Sequence, residues 1–241
     1  SGHLQIAKAL MGVEIEQNLL FDVTLHAATV LSTIVVLWSE VARLLRGLFS
    51  RRFNEEQAYV LKLLLSMIPI GIVGFTLKDR LDALLESPAI LLVVGCMLLV
   101  TAALLAFAYY AKPRQKAQLS YRDAFLIGVA QAVAALPGLS RSGSTIATGL
   151  LLGNRKQTVA QFSFLMVLAP ILGETFLELM KGNLGAQAIG SAPLASGFVA
   201  AFVVGCLACK FMIEIVKRGK LVWFALYCAA AGTVSILSYV L

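Results

Sequence analysis

The sequence predicts an all-α polytopic membrane protein, with six transmembrane helices and two re-entrant helix–loop–helix segments in an inverted-topology repeat. First, 59% of its 241 residues are hydrophobic and 14% are charged, whereas a soluble domain has about 25% charged residues. Second, several apolar runs reach the roughly 20 residues that cross a bilayer. Third, the polar residues 136–145 lie between two apolar runs, 124–135 and 146–152, that are too short to cross. Non-helical backbone at that depth is tolerated only where protein buries it or where it lines a wet cavity.

Six runs are long enough to be transmembrane helices, and they cover residues 21–45, 59–77, 89–110, 159–180, 194–216 and 221–241. Pro69 is expected to kink the second run. Lysines and arginines concentrate in the links after the first, third and fifth runs, which predicts that these links face the cytoplasm. The same rule accounts for the net charge of +7, so no nucleic-acid partner is expected. The pair of short runs enters and leaves on this basic side and adds no crossing.

An internal repeat is predicted within a single membrane domain, residues 1–241. Sliding the chain by 141 positions pairs Ser1-Gly2 with Ser142-Gly143, Gly12 with Gly153 and Phe21 with Phe162. Repeat one would cover residues 1–110 and repeat two residues 121–241. Three crossings separate the two Ser-Gly tips, so the tips enter from opposite faces and can meet near the midplane, as in many transporters. His3 is therefore expected close to Arg141.

The polar segment 136–145 has the composition of an anion site. Pro137 and Gly138 predict a turn, and Gly143 lets the backbone approach a ligand closely. A helix is predicted to begin near Ser144, and its free N–H groups attract anions such as phosphate. The segment's hydroxyl groups belong to Ser140, Ser142, Ser144 and Thr145.

Arg141 is the sharpest single signal in this segment. Its guanidinium group has a permanent charge and a fork of donors that matches phosphate oxygens. An arginine in an apolar region costs several kcal/mol unless it is paired or hydrated, and it marks a functional site by default. The alternative is a structural arginine that binds backbone carbonyls.

Two further polar residues are candidates for the same site. The imidazole of His3 can act as nucleophile, general acid or general base near neutral pH; the alternative is an ordinary polar residue. Gln131 either donates a hydrogen bond into the site or only completes the packing.

Other chemistry-bearing residues have plainer interpretations. His26 is expected to be a satisfied interhelical histidine. Glu174 and Glu178 share one helix face, where they line a polar path, hold a cation or are simply exposed. The pair Cys206 and Cys209 is expected to pack between helices, because no other Cys or His is near it in the sequence.

Residues 136–146, Leu-Pro-Gly-Leu-Ser-Arg-Ser-Gly-Ser-Thr-Ile, resemble the signature of the undecaprenyl-diphosphate phosphatases, the bacitracin-resistance family. Ser1-Gly2-His3 resembles the end of that family's first motif, and residues 161–165 with Pro170 resemble its Phe-Ser-Phe-Leu…Pro stretch. The resemblance implies hydrolysis of a polyprenyl diphosphate to the monophosphate and phosphate, which recycles the lipid carrier of cell-wall synthesis. It also implies a bacterial inner-membrane protein whose site opens to the periplasm, and a divalent cation, Mg or Ca.

The resemblance also implies roles for individual residues. His3 would match the family's catalytic histidine, and Ser140, Arg141 and Thr145 would match its diphosphate-contacting residues. The full predicted site has His3, Arg141 and Ser140 as catalytic residues, and it binds the diphosphate through Ser1, Gly2, Ser142, Gly143, Ser144, Thr145 and Gln131. The family's paired metal-binding glutamates would lie upstream of Ser1, which leaves open whether the chain as given is active.

The expected partners are a polyprenyl diphosphate lipid, the bilayer and a second copy in a homodimer. The main alternative function is a transporter or flippase for an anionic substrate, because inverted repeats and broken helices suit alternating access equally well. A non-catalytic lipid-binding subunit is a third alternative.

Overall fold

The computed structural model describes residues 6, 19–110, 116, 118–180 and 190–240. Within these residues the chain forms eleven α-helices. They are α1 Leu19–Val36, α2 Trp38–Leu48, α3 Glu55–Thr76, α4 Lys78–Leu85, α5 Ile90–Tyr110, α6 Tyr121–Val133, α7 Arg141–Leu151, α8 Lys156–Met166, α9 Leu168–Met180, α10 Ser191–Lys217 and α11 Leu221–Val240. Ser1, Gly2, His3 and the rest of the first predicted re-entrant segment, apart from Ile6, lie outside the described residues.

The predicted all-α membrane architecture is confirmed. In the described part of the chain, five helical stretches are long and apolar enough to cross a bilayer: α3, α5, α8 together with α9, α10 and α11. The count becomes six if α1 and α2 form one broken crossing. The agreement follows from composition, because each of these stretches contains 18 consecutive residues of high mean hydropathy with at most two charged side chains.

The first predicted crossing, residues 21–45, is wrong as a straight helix. The chain turns by 86° between α1 and α2, and buried Leu37 occupies the corner. The turn falls where the composition changes, since Glu40 and Arg43 follow an uncharged stretch, residues 23–36. Charged side chains are costly at bilayer depth, so the helix that contains them leaves the direction of α1.

The helices α6 and α7 form the predicted short pair, called here the hairpin. They have 13 and 11 residues, or about 20 and 17 Å at 1.5 Å per residue. Both are shorter than the roughly 30 Å hydrocarbon core. The hairpin therefore has the dimensions of the predicted re-entrant segment.

The hairpin packs between α3 on one side and α5 on the other. On one side, a Cβ at Gly128 of α6 would collide with the backbone of Ser66 in α3. On the other side, Ile146 and Leu150 of α7 join a buried cluster with Val94 and Leu98 of α5. Small residues that let backbones approach are the usual means of packing membrane helices. These contacts fix where the tip of the hairpin lies.

Candidate active site

The tip of the hairpin is the connection from Ala134 to Ser140. Gly138 has φ = 95°, a left-handed conformation that glycine adopts without strain. A Cβ at this position would also lie 2.6 Å from the Cα and O atoms of Val94 in α5. Gly138 is therefore required both by the turn and by the docking of the tip on α5.

Ser140 begins α7 as its N-cap residue. Its Oγ atom accepts a hydrogen bond from the N–H of Gly143 at 3.1 Å, and its carbonyl accepts one from the N–H of Ser144 at 2.9 Å. The predicted helix start near Ser144 is thus wrong by three residues, because the cap extends the helix to Arg141. The hydroxyl hydrogen of Ser140 remains able to donate to a ligand.

Thr101 of α5 holds Ser140 from the opposite side. The backbone N–H of Ser140 donates to Thr101 Oγ1 at 3.1 Å across 39 positions of sequence, and Thr101 is fully buried. Sequence reasoning missed this residue, because a single threonine in a uniformly apolar helix has no local signal. The only available clue was that a buried hydroxyl needs a partner.

The helix N-terminus and Arg141 carry positive charge at the same place. Four N–H groups at a helix start lack intrahelical partners. Here Thr101 and the Ser140 side chain satisfy two of them, and the N–H of Ser142 belongs to the same first turn. The Arg141 side chain is exposed at this end. A guanidinium group beside the positive end of a helix dipole gives this end of α7 a positive electrostatic potential, which attracts anions.

Two buried polar groups beside the tip have no hydrogen-bond partner among the described residues. They are Gln131 Nε2 in α6 and Ser144 Oγ in α7, whose residues are 1% and 3% exposed. An unpaired buried polar group costs about 1–3 kcal/mol. Ser163 Oγ of α8, within the Phe-Ser-Phe-Leu stretch, is unpaired in the same sense.

The Thr145 hydroxyl, unlike these unpaired groups, has hydrogen-bond acceptors within its own helix. Its hydroxyl donates to the carbonyl oxygens of Arg141 at 2.9 Å and Ser142 at 3.2 Å. In this geometry the hydroxyl hydrogen is already engaged with the backbone. The predicted diphosphate contact of Thr145 would need its hydroxyl to turn away from the helix.

The opposite end of the hairpin, called here the base, comprises Lys116, Ser120, Asp123, Gly153 and Asn154. Lys116 Nζ lies 3.2 Å from Asp123 Oδ2, and the Lys116 N–H donates to the Gly153 carbonyl at 2.9 Å. Burial raises the pKa of Asp123, but hydrogen bonding to Lys116, Asn154 and Ser120 outweighs it and lowers the pKa below its ordinary value. Most polar groups of the base are thus hydrogen-bonded to one another, although Asn154 Oδ1 has no partner among the described residues.

The described residues do not fit a divalent cation. Within this part of the chain, no three His, Cys, Asp or Glu residues converge as a metal site would require. His3 lies outside the described residues, and so do the side chains of Glu174 and Glu178, whose backbone belongs to α9.

The remaining candidates are His26 and the cysteine pair, Cys206 and Cys209. His26 in α1 is half-buried, and its Nδ1 atom has no partner among the described residues, so the expectation of a satisfied histidine is wrong at that atom. Cys209 is buried, and the Cys206 thiol donates to the Ser32 carbonyl at 3.9 Å. These contacts fit helix packing.

Comparison with known proteins identifies the family. The model of the family described as "Bacitracin resistance protein BacA" matches residues 1–234. The chain belongs to the BacA family. This match covers the hairpin, the N-terminal residues and every predicted site residue.

Three relatives of this chain share one name. A protein of Parabacteroides distasonis, named undecaprenyl-diphosphatase, is 62% identical over 98% of this chain and 89% of its own length. One from Bacteroides fragilis with the same name is 60% identical over the same shares. A relative from Methanosphaera stadtmanae, also so named, is 31% identical over 98% of this chain and 90% of its own length.

Proposed function

We propose that this protein hydrolyses undecaprenyl diphosphate to the monophosphate and phosphate. The observation that carries the proposal is the hairpin tip, a helix N-terminus with an arginine and two unpaired buried polar groups, in a chain 62% identical to an undecaprenyl-diphosphatase. The diphosphate is the anion that this site binds. The prenyl chain lies in a groove between apolar helices, in contact with the bilayer.

The tip acts on the diphosphate by position and charge. Arg141 takes phosphate oxygens with its fork of donors, and the N–H of Ser142 and the hydroxyl of Ser140 donate from the first turn of α7. Gln131 Nε2 and Ser144 Oγ supply the remaining donors. Catalysis of phosphoryl transfer comes mostly from such pre-positioned groups, which stabilise charge in the transition state.

His3 is proposed as the group that attacks phosphorus or transfers a proton, and these two roles remain alternatives. One described contact supports its placement at the tip. Ile6 packs against a buried cluster formed by α5, α7, α8, α10 and α11, which includes Ile146 and Val94, and three residues of chain reach at most about 11 Å from it. Ser1 and Gly2 are proposed to contact the diphosphate from the same side.

A requirement for a divalent cation, Mg or Ca, is also proposed. The described residues offer no ligand cluster for it, so its ligands would come from elsewhere in the protein. Removal of divalent cations with a chelator is expected to stop phosphate release, and added Mg or Ca to restore it.

The membrane location is proposed to be the bacterial inner membrane, with the site open to the periplasm. The concentration of lysine and arginine in alternate links supports this orientation, because such links remain in the cytoplasm. A homodimer is proposed as the assembly.

The decisive experiment is a phosphate-release assay in detergent. The purified protein is given undecaprenyl diphosphate without any second compartment, and stoichiometric release of phosphate is expected. A transporter or flippase would release none under these conditions. Absence of release with divalent cation present would therefore overturn the proposed hydrolysis.

A further inference from the structure

The helix α2 is set across the direction of the transmembrane helices. Its predecessor α1 runs along the 27-residue helix α10, with Phe21 against Gly197 and Ser32 against Gly205. With 18 residues, α1 is about 27 Å long, close to the roughly 30 Å of the hydrocarbon core. Since α1 packs along α10, which is long and apolar enough to cross a bilayer, the 86° turn directs α2 away from the direction of both helices and toward the membrane plane.

The sequence of α2 is amphipathic. Trp38, Val41, Ala42, Leu44, Leu45 and Leu48 fall on one face at helical spacing, opposite Ser39, Glu40, Arg43 and Arg46. Leu44 is buried, whereas Trp38, Leu45 and Leu48 are 60%, 50% and 40% exposed. A helix that lies in the membrane plane with an exposed apolar face and a basic polar face is typical of the interface between headgroups and acyl chains.

The turn from α2 to α3, residues 49–54, adds unpaired positive charge beside this face. Arg43 is neutralised by Glu40 at 2.9 Å and Glu56 at 3.3 Å. In contrast, Arg51 and Arg52 are exposed and have no acidic partner among the described residues.

Aromatic side chains flank the two arginines, and the turn is held in shape. Phe49 and Phe53 are 84% and 70% exposed. The Asn54 amide donates to the Gly47 carbonyl at 2.8 Å, and the Gln57 amide donates to the Ser50 carbonyl at 3.0 Å. The arginines and phenylalanines are thus presented together by a fixed turn.

We propose that α2 and the turn 49–54 form an interfacial anchor that binds anionic phospholipid headgroups in the leaflet on the basic side. The apolar face of α2 with Phe49 and Phe53 enters the acyl boundary, and Arg51 and Arg52 contact lipid phosphates. This inference is independent of the hydrolysis proposed above. Each arginine near an anionic surface strengthens lipid binding roughly fivefold.

Trp38 provides a direct measurement of depth. The chain has two tryptophans, so a Trp223→Phe variant leaves Trp38 as the only one. This variant is reconstituted into phosphatidylcholine vesicles whose acyl chains are brominated either near the headgroup or near the bilayer centre. Stronger quenching by the shallow bromines is expected. Equal or stronger quenching by the deep bromines, or no quenching, would overturn the interfacial placement.

Lipid preference is measured in the same variant with bromine on the anionic lipid only. Vesicles contain phosphatidylcholine and brominated phosphatidylglycerol, and quenching above the bulk fraction of that lipid is expected. Arg51→Gln with Arg52→Gln should reduce this excess severalfold. The matched control, Lys78→Gln with Arg80→Gln in α4 on the predicted opposite side, should leave it unchanged. No excess in the parent, or equal excess in both double variants, would overturn the proposed lipid preference.

Discussion

The polar side chains at the two ends of the hairpin differ in whether they find hydrogen-bond partners within the protein. At the base, Lys116 and Asp123 form an ion pair at 3.2 Å, and Asn154 donates its amide to the Gly149 carbonyl. At the tip, Gln131 Nε2 and Ser144 Oγ are buried and have no partner among the described residues. Asn154 Oδ1 is the exception at the base.

The difference separates structural polar groups from ligand-binding ones. Polar groups that pair with one another stabilise the protein, and their hydrogen-bonding capacity is already used within it. Unpaired buried groups cost about 1–3 kcal/mol each, and a ligand that pairs them offsets that cost. Changes at the tip should therefore affect turnover, and changes at the base should affect stability.

The largest expected effect is from removal of the Arg141 guanidinium group at the tip. Arg141→Ala should lower kcat/KM for undecaprenyl diphosphate by about 10²–10³-fold, because a donor to the transition-state charge is lost. Arg122→Ala, which removes an exposed arginine from α6 near the base, is the matched control and should keep turnover within about twofold. Near-normal phosphate release by Arg141→Ala would contradict the assignment of the tip.

The next effect concerns the shape of the turn. Gly138→Ala adds a Cβ that would lie 2.6 Å from the Val94 backbone at a φ of 95°. A loss of about 2–4 kcal/mol in the free energy of unfolding is expected, from backbone strain and overpacking together. The control is Gly173→Ala in α9, where a Cβ would meet nothing within 4 Å. Equal free energies of unfolding in detergent for Gly138→Ala and Gly173→Ala would show that the tip is not docked on α5.

A smaller effect tests Thr101 as a positioning residue. Thr101→Val removes the acceptor for the Ser140 N–H and should lower kcat about tenfold with little change in KM, because a misplaced tip weakens the transition state most. Thr101→Ser should restore most of the activity.

The control for Thr101 is Thr233→Val in α11. Thr233 and Thr101 each donate to a carbonyl four residues earlier, Ala229 and Met97, but Thr233 is exposed. Its substitution should leave kcat unchanged. Equal activity losses in Thr101→Val and Thr233→Val, or no loss in either, would show that the bond to Ser140 does not position the tip.

The smallest effect is at the base and depends on pH. Since the pKa of Asp123 is lowered in the folded protein, its ionised form stabilises the fold above the ordinary aspartate pKa of about 3.9. That contribution is lost as the pH falls through this value and then through the lower folded pKa. Thermal unfolding from pH 6 to pH 3 should therefore show a shallower stability loss in Asp123→Asn, with about 1 kcal/mol less stability at pH 6. A large fall in kcat at pH 7 in this variant would contradict a purely structural base.

Much of the architecture was predictable because the signals are local. The crossings and the short pair follow from the lengths of apolar runs, and the tip follows from ten consecutive residues, 136–145. Membrane burial imposes these patterns on each segment separately. The inverted repeat and the contact of His3 with Arg141 remain predictions, because the residues of the first tip lie outside the described part of the chain.

The remaining features depend on contacts between segments that are distant in the sequence. Thr101 meets Ser140 because α5 and the hairpin are packed together, and the N-cap bond of Ser140 extends α7 to Arg141. The corner at Leu37 forms because α1 aligns with α10 while the charged residues of α2 avoid the hydrocarbon. Local composition does not specify which distant residue supplies a hydrogen-bond partner or a packing surface. These three features are therefore determined by how the helices pack together.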